Sequence, residues 1–153
     1  MPPVKTVAIQ NWDRNLASSS RFTILAEFNN QAVKDNNTGL VWERAPDGTT
    51  RSWSDATLYC LNKNVGGTSG WRLPSVIELR SLQDPALPAP FVPTNVFTGI
   101  KIDYWAATTF GENPARAWVV NFGVTSFAGH GDKADNSHGC AWCVRGPMNA
   151  DTY

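Results

Sequence analysis

Seven tryptophans are spread through a 153-residue chain in which every periodic segment is short. That combination limits the possible folds more than any other feature. A domain with little regular structure draws its cohesion from large side chains, and each buried aromatic removes about 150–250 Å² from water. Trp42, Trp53, Trp71, Trp105 and Trp118 are therefore read as core rather than as a groove for stacking sugars. Trp142 is read differently: it opposes Cys143 in strand alternation, which would put it on display.

The chain length suits one domain, able to bury roughly 70% of the surface its unfolded form exposes. Thirteen basic residues balance thirteen acidic ones, giving a formal net charge of 0, and the two signs are interleaved. A protein that binds nucleic acid by neutralising phosphates needs a basic stripe, and a polybasic membrane anchor needs clustered Lys and Arg. Neither pattern is present. No apolar run approaches the roughly 18 residues needed to span a bilayer, and residues 1–10 lack the charged-then-apolar order of a secretory leader. The expectations are no nucleic-acid partner, no membrane insertion and no cofactor. The location is left open between the cytoplasm and display on a cell or phage surface, and a homo-oligomer is compatible with the sequence.

Residues 1–20 lack periodicity and read as a lead-in, with a domain over 21–147 and a tail at 148–153. Phe22, Ile24, Ala26 and Phe28 alternate with more polar neighbours, as in a strand. Short strands are expected again at Ala32 to Lys34 and Leu40 to Trp42. Ser52 can cap a helix with Trp53, Ala56 and Cys60 on one face and Gly66-Gly67 at its end. Ser75 and Glu78 form a capping box that opens a second helix carrying Val76, Leu79 and Leu82. After a stiff proline-rich connection, strand patterns return at Tyr104 to Thr108, Ala117 to Phe122 and Ala141 to Arg145. Trp118, Val120 and Phe122 share one face of the middle segment, and Val119 and Asn121 share the other. Strands, two short helices and more strands define an α+β domain with small antiparallel sheets.

Five blocks then stand out in order: Thr38-Gly39-Leu40-Val41-Trp42-Glu43, Trp53-x-x-Ala56-x-x-x-Cys60, Gly70-Trp71-Arg72-Leu73-Pro74-Ser75 with Glu78-Leu79, Tyr104-Trp105-x-Ala107-Thr108, and Cys143-Val144-Arg145-Gly146. Together they resemble the Lcl C-terminal domain family over about Phe22 to Gly146. The central block also resembles formylglycine-generating enzyme-like domains, which implies a C-type lectin fold. The last forty residues are similar to the variable region of diversity-generating retroelement variable proteins, in which adenine-directed mutagenesis rewrites a C-terminal cassette. Every residue of Gly123 to Ala141 except Lys133 is reachable by randomising the adenines of an Asn codon. A Gly-rich surface loop would have much the same composition, so both readings stand.

The resemblance implies a non-enzymatic binding module whose segment 117–142 displays a ligand surface for an unidentified protein or carbohydrate. Val119, Asn121, Thr125, Phe127, His130, Asp132, Asn136, His138 and Trp142 are the expected contact residues. The aromatic ones would anchor the ligand, and Asn, His and Asp would orient it. Two alternatives are a glycosaminoglycan-type polysaccharide adhesin and a formylglycine-generating enzyme-like oxidase using Cys140 and Cys143. Cys60 and Cys143 occupy positions that a C-type lectin fold commonly bridges; a reduced, buried pair is equally admissible. Arg72 and Glu78 are read as a structural pair, and Arg145 as structural too. Cys140-x-x-Cys143 lacks the second ligand cluster a zinc site needs. Glu112-Asn113-Pro114 has the wrong order for calcium-dependent sugar binding, and no hydrolase elbow, zinc-protease helix or phosphate loop occurs.

Overall fold

Both expected helices form where their caps place them. The structure, a computed structural model, describes residues 16–124 and 127–147. Most of the lead-in, the tail 148–153 and Thr125 thus lie outside the described residues. Before the first strand, α1 (Ser18–Arg21) makes one turn at the end of the lead-in, and Arg21 is buried on Asp35 through bonds of 3.0 and 2.9 Å. In α2 (Trp53–Leu61) the Ser52 hydroxyl accepts the Asp55 amide at 3.3 Å, and the Ala56 and Cys60 face is buried. This helix stops at Leu61, capped by Asn62, and does not run on to the Gly66-Gly67 pair. The capping box of α3 (Val76–Leu82) is complete, with the Glu78 carboxylate accepting the Ser75 amide at 2.8 Å. Arg72 grips the same carboxylate with both arms, at 2.7 and 2.6 Å, and donates to the Gly146 carbonyl at 3.0 Å. The pair is a tie between loops, as read.

Two antiparallel sheets complete the α+β architecture. The first orders β1 (Phe22–Ile24), β2 (Ala32–Asp35), β3 (Val41–Glu43) and β7 (Val144–Arg145); the second orders β4 (Asp103–Thr109), β5 (Arg116–Asn121) and β6 (Ala128–Asp132). The first strand is shorter than its alternation suggests: Ala26–Phe28 forms a 3-10 turn, so Phe28 enters the core from a bend. Strand β6 falls in the segment whose composition fits a Gly-rich loop. Among the described residues no helix is long and apolar enough to cross a membrane.

The six tryptophans among the described residues divide between two buried clusters. One gathers Trp42, Trp142, Phe97, Tyr104 and Phe122 with Leu79, Leu82 and Val120; the other gathers Trp71 and Trp105 with Phe28, Ala56, Cys60 and Cys143. Trp53 and Trp118 pack half-buried on their flanks. Trp142 corrects the sequence reading, because it is 0% exposed rather than displayed. Its ring lies 5.2 Å from Tyr104, 5.3 Å from Phe97 and 5.4 Å from Phe122. The alternation argument assumes that one side of the strand meets water. Here the chain threads between the clusters, so Trp142 enters one while Ala141 and Cys143 enter the other.

Glu43 locks this passage. Its carbonyl accepts the Trp142 indole N–H at 2.8 Å, its carboxylate accepts the Cys143 amide at 2.7 Å, and Lys63 sits 3.0 Å from the second oxygen. Burial pushes the Glu43 carboxyl above its ordinary range, while the Cys143 amide and Lys63 pull it back. Cys60 and Cys143 are joined as a disulfide with 5.3 Å between their Cα atoms, fastening α2 to the residue before β7.

Candidate functional site

Alternation along β5 decides what each face of the second sheet can do. Trp118 and Val120 turn toward the first cluster with Phe122 just beyond, while Ala117 and Val119 turn toward the second. On that second side, register pairs Asn121 with Asp103, Val119 with Trp105 and Gly129, and Ala117 with Gly131. The edge strand therefore presents Gly129 and Gly131 where side chains would otherwise stand. Gly139, arriving on the loop after β6, lies against the Trp105 indole.

The result is a groove of about 380 Å³. Val119, Gly129, Gly131 and Gly139 form its floor over the buried Trp105, and Asp103, Asn121, Phe127, Asp135 and His138 stand around it. None of these three glycines has a left-handed φ, so they supply room rather than backbone freedom. A Cβ at Gly131 would come 3.2 Å from the Trp105 ring, and one at Gly129 would come 3.4 Å from Phe127.

Hydrogen bonds hold both ends of the groove. The Asn121 amide donates to Asp103 at 2.9 Å, and its oxygen accepts the Gly123 amide at 2.9 Å. At the other end Asp135 accepts from the Ser137 hydroxyl, from the Ser137 amide at 2.8 Å and from His138 Nδ1 at 3.0 Å. The Ser137 hydroxyl, followed by its amide and His138, lowers the Asp135 carboxyl from 3.8 to about 2. Because the folded value is depressed, whatever stability these contacts add is complete above the unfolded value and is lost as pH falls through the folded one. A carbon-detected NMR titration is expected to place the Asp135 midpoint near 2, and a midpoint at 3.8 would remove this anchoring of the loop.

The nine expected contact residues separate into groups. Val119, Asn121, Phe127 and His138 meet at the groove. His130 and Asp132 border it only from the edge strand, since register places them opposite Trp118 and Arg116 on the other face. There His130 stacks on Phe110 with 4.0 Å between ring centroids and accepts Arg116 Nε at 2.8 Å. Asn136 is exposed but does not line the groove. Trp142 is in the core, and Thr125 lies outside the described residues. Sequence reasoning missed Asp103, Trp105, Asp135 and the glycine floor. The signal available was the repeat Gly129-x-Gly131, which clears one side of a strand.

Other features are already engaged. A hollow of about 480 Å³ near Gln31, Glu43, Arg44 and Lys63 contains charges that are paired, with Lys63 on Glu43 and Arg44 on the Val96 carbonyl at 2.9 Å. Cys140 is 2% exposed, and burial pushes its thiol up. Among the described residues no group of three or more His, Cys, Asp or Glu is placed to hold a metal ion.

A small α+β domain with a concave, glycine-floored sheet face is the class that this geometry defines. The family model described as the Lcl C-terminal domain matches residues 31–145, about three quarters of the chain, and the chain belongs to that family. The matched span holds all the strands after β1, both longer helices and the groove. No curated protein sequence matches the chain.

Proposed function

We propose that this domain is a non-enzymatic ligand-binding module of the C-type lectin type, built in the manner of a diversity-generating retroelement variable protein, with the groove on β4, β5 and β6 as its ligand site. One observation carries the reading: segment 117–142 is divided position by position between frame and display. Ala117, Val120, Phe122, Cys140, Ala141 and Trp142 are buried, whereas Phe127, Asp132, Asn136 and His138 are exposed at or near the groove. Exposed positions of this kind change at small cost to stability, usually within about 0.5 kcal/mol.

The two alternatives have less support. An oxidase using Cys140 and Cys143 needs both thiols close, reduced and reachable, yet Cys143 is bonded to Cys60 and Cys140 is buried. A sulfated polysaccharide needs a cationic face, and this groove face carries the Asp103 and Asp135 carboxylates with no Lys or Arg beside them in its lining.

Arrays of glycans and purified proteins, probed with wild type and with a Phe127→Ala, His138→Ala variant, test the reading. The expected result is loss of the wild-type hits with a melting temperature unchanged within about 2 °C. Hits kept in full by the variant would place recognition elsewhere. The diversification component has its own test in the flanking DNA, where a near-copy of the cassette differing at adenines is expected beside a reverse transcriptase gene.

A further inference from the structure

We infer that the groove receives the side chain of a lysine or arginine presented by a protein partner. The inference rests on the groove being the ligand site and names what enters it. Two features of the lining select this chemistry. The floor is apolar and bare of side chains along β6, because Gly129 and Gly131 expose backbone between Val119 and the edge. The surroundings are acidic: Asp103 and Asp135 stand at the groove with no Lys or Arg on that face of its lining, a formal charge of −2 with the histidines neutral, while Asp132 and Arg116 pair opposite each other on the other face and offset one another. Arg116 is directed along that other face, where its Nε and Nη2 donate to His130 Nδ1 and to the His130 carbonyl at 2.8 and 3.3 Å. A long methylene stem ending in a cation matches an apolar trough with an anionic margin. Phe127, half exposed at one end, adds a ring with which such a stem or its cation can pack.

Glycine at position 129 makes the inference testable without disturbing the fold. A leucine there would fill the trough, and its Cβ meets only the Phe127 ring, at 3.4 Å. Immobilised peptides centred on lysine or arginine are compared with otherwise identical peptides carrying norleucine or citrulline, over wild type, Gly129→Leu and Asp103→Asn, with melting temperature measured for each. Asp103→Asn keeps the acceptor for Asn121 while removing one charge.

Basic peptides are expected to be retained by wild type, weakened about tenfold by Asp103→Asn, weakened further by added salt, and lost in Gly129→Leu. Equal retention of norleucine and citrulline peptides, or full retention by Gly129→Leu, overturns the inference. Neutral glycans captured by wild type and lost in Gly129→Leu would overturn the cation while leaving the groove as the ligand site. If no array or peptide ligand responds to Gly129→Leu, both readings fail together.

Discussion

Gly139→Ala is expected to destabilise the protein by about 3 kcal/mol, far more than the same change at Gly129. The added methyl would overlap the Trp105 indole nitrogen and its neighbouring carbons. Neither partner has anywhere to go. Trp105 is 2% exposed, its Nε1 donates to the Arg51 carbonyl at 2.8 Å, and its own amide donates to the Cys140 carbonyl at 2.9 Å. The Gly139 carbonyl in turn accepts the Arg51 amide at 2.8 Å. The indole, the loop and the strand are thus tied to one another, and relief of the overlap must break at least one of these bonds. Gly129→Ala meets only a half-exposed phenylalanine and is expected to be near neutral. Urea unfolding of the two variants checks the contrast, and equal midpoints would show that the loop around Gly139 yields freely.

Replacing Cys60 and Cys143 together by alanine is expected to cost still more. The bridge joins residues 83 apart in sequence, and the chain-entropy treatment assigns a loop of that length about 4–5 kcal/mol. Residual structure in the unfolded chain reduces this, so a measured loss of about 3–4 kcal/mol is the expected outcome. Both half-cystines are fully buried, which predicts slow reduction in the folded state and rapid reduction once denaturant is added. Thiol labelling with and without denaturant tests this directly. One reactive thiol in the unfolded, unreduced protein agrees with the bridge and with a free Cys140; three would remove it.

What the sequence revealed depended on whether each signal was local. The caps at Ser52 and Ser75 are satisfied by residues three positions away, so the helix starts were legible without tertiary information. Strand β6 was not legible. Its residues, Ala128 to Asp132, offer two glycines, a histidine and an aspartate, and they pair because β5 provides a ladder rather than through any propensity of their own. The strand expected over Ala141 to Arg145 shrinks to β7, because the residues before it are held by Glu43 and Tyr104 neighbours instead of a continuous partner strand. The same circumstance misplaced Trp142.

For the site, alternation correctly separated Val119 and Asn121 from Trp118, which was half the geometry. The other half needed the register. Whether His130 faces the groove depends on its pairing with Trp118, and a shift of one residue would have reversed the answer. Asp103 and Asp135 were equally hidden, because they converge on the groove from segments 32 residues apart only after the sheet and its loop are in place.

The passage of 140–144 through the middle of the molecule restricts natural variation in a second way. Letters along the exposed turn can be exchanged, but their number cannot be altered near either end: one residue gained or lost after Gly139 would rotate Trp142 out of its seat and carry Cys143 away from Cys60. Length differences among sister sequences should accordingly gather at the tip formed by 133–138, leaving the spacing from Gly139 to Cys143 constant.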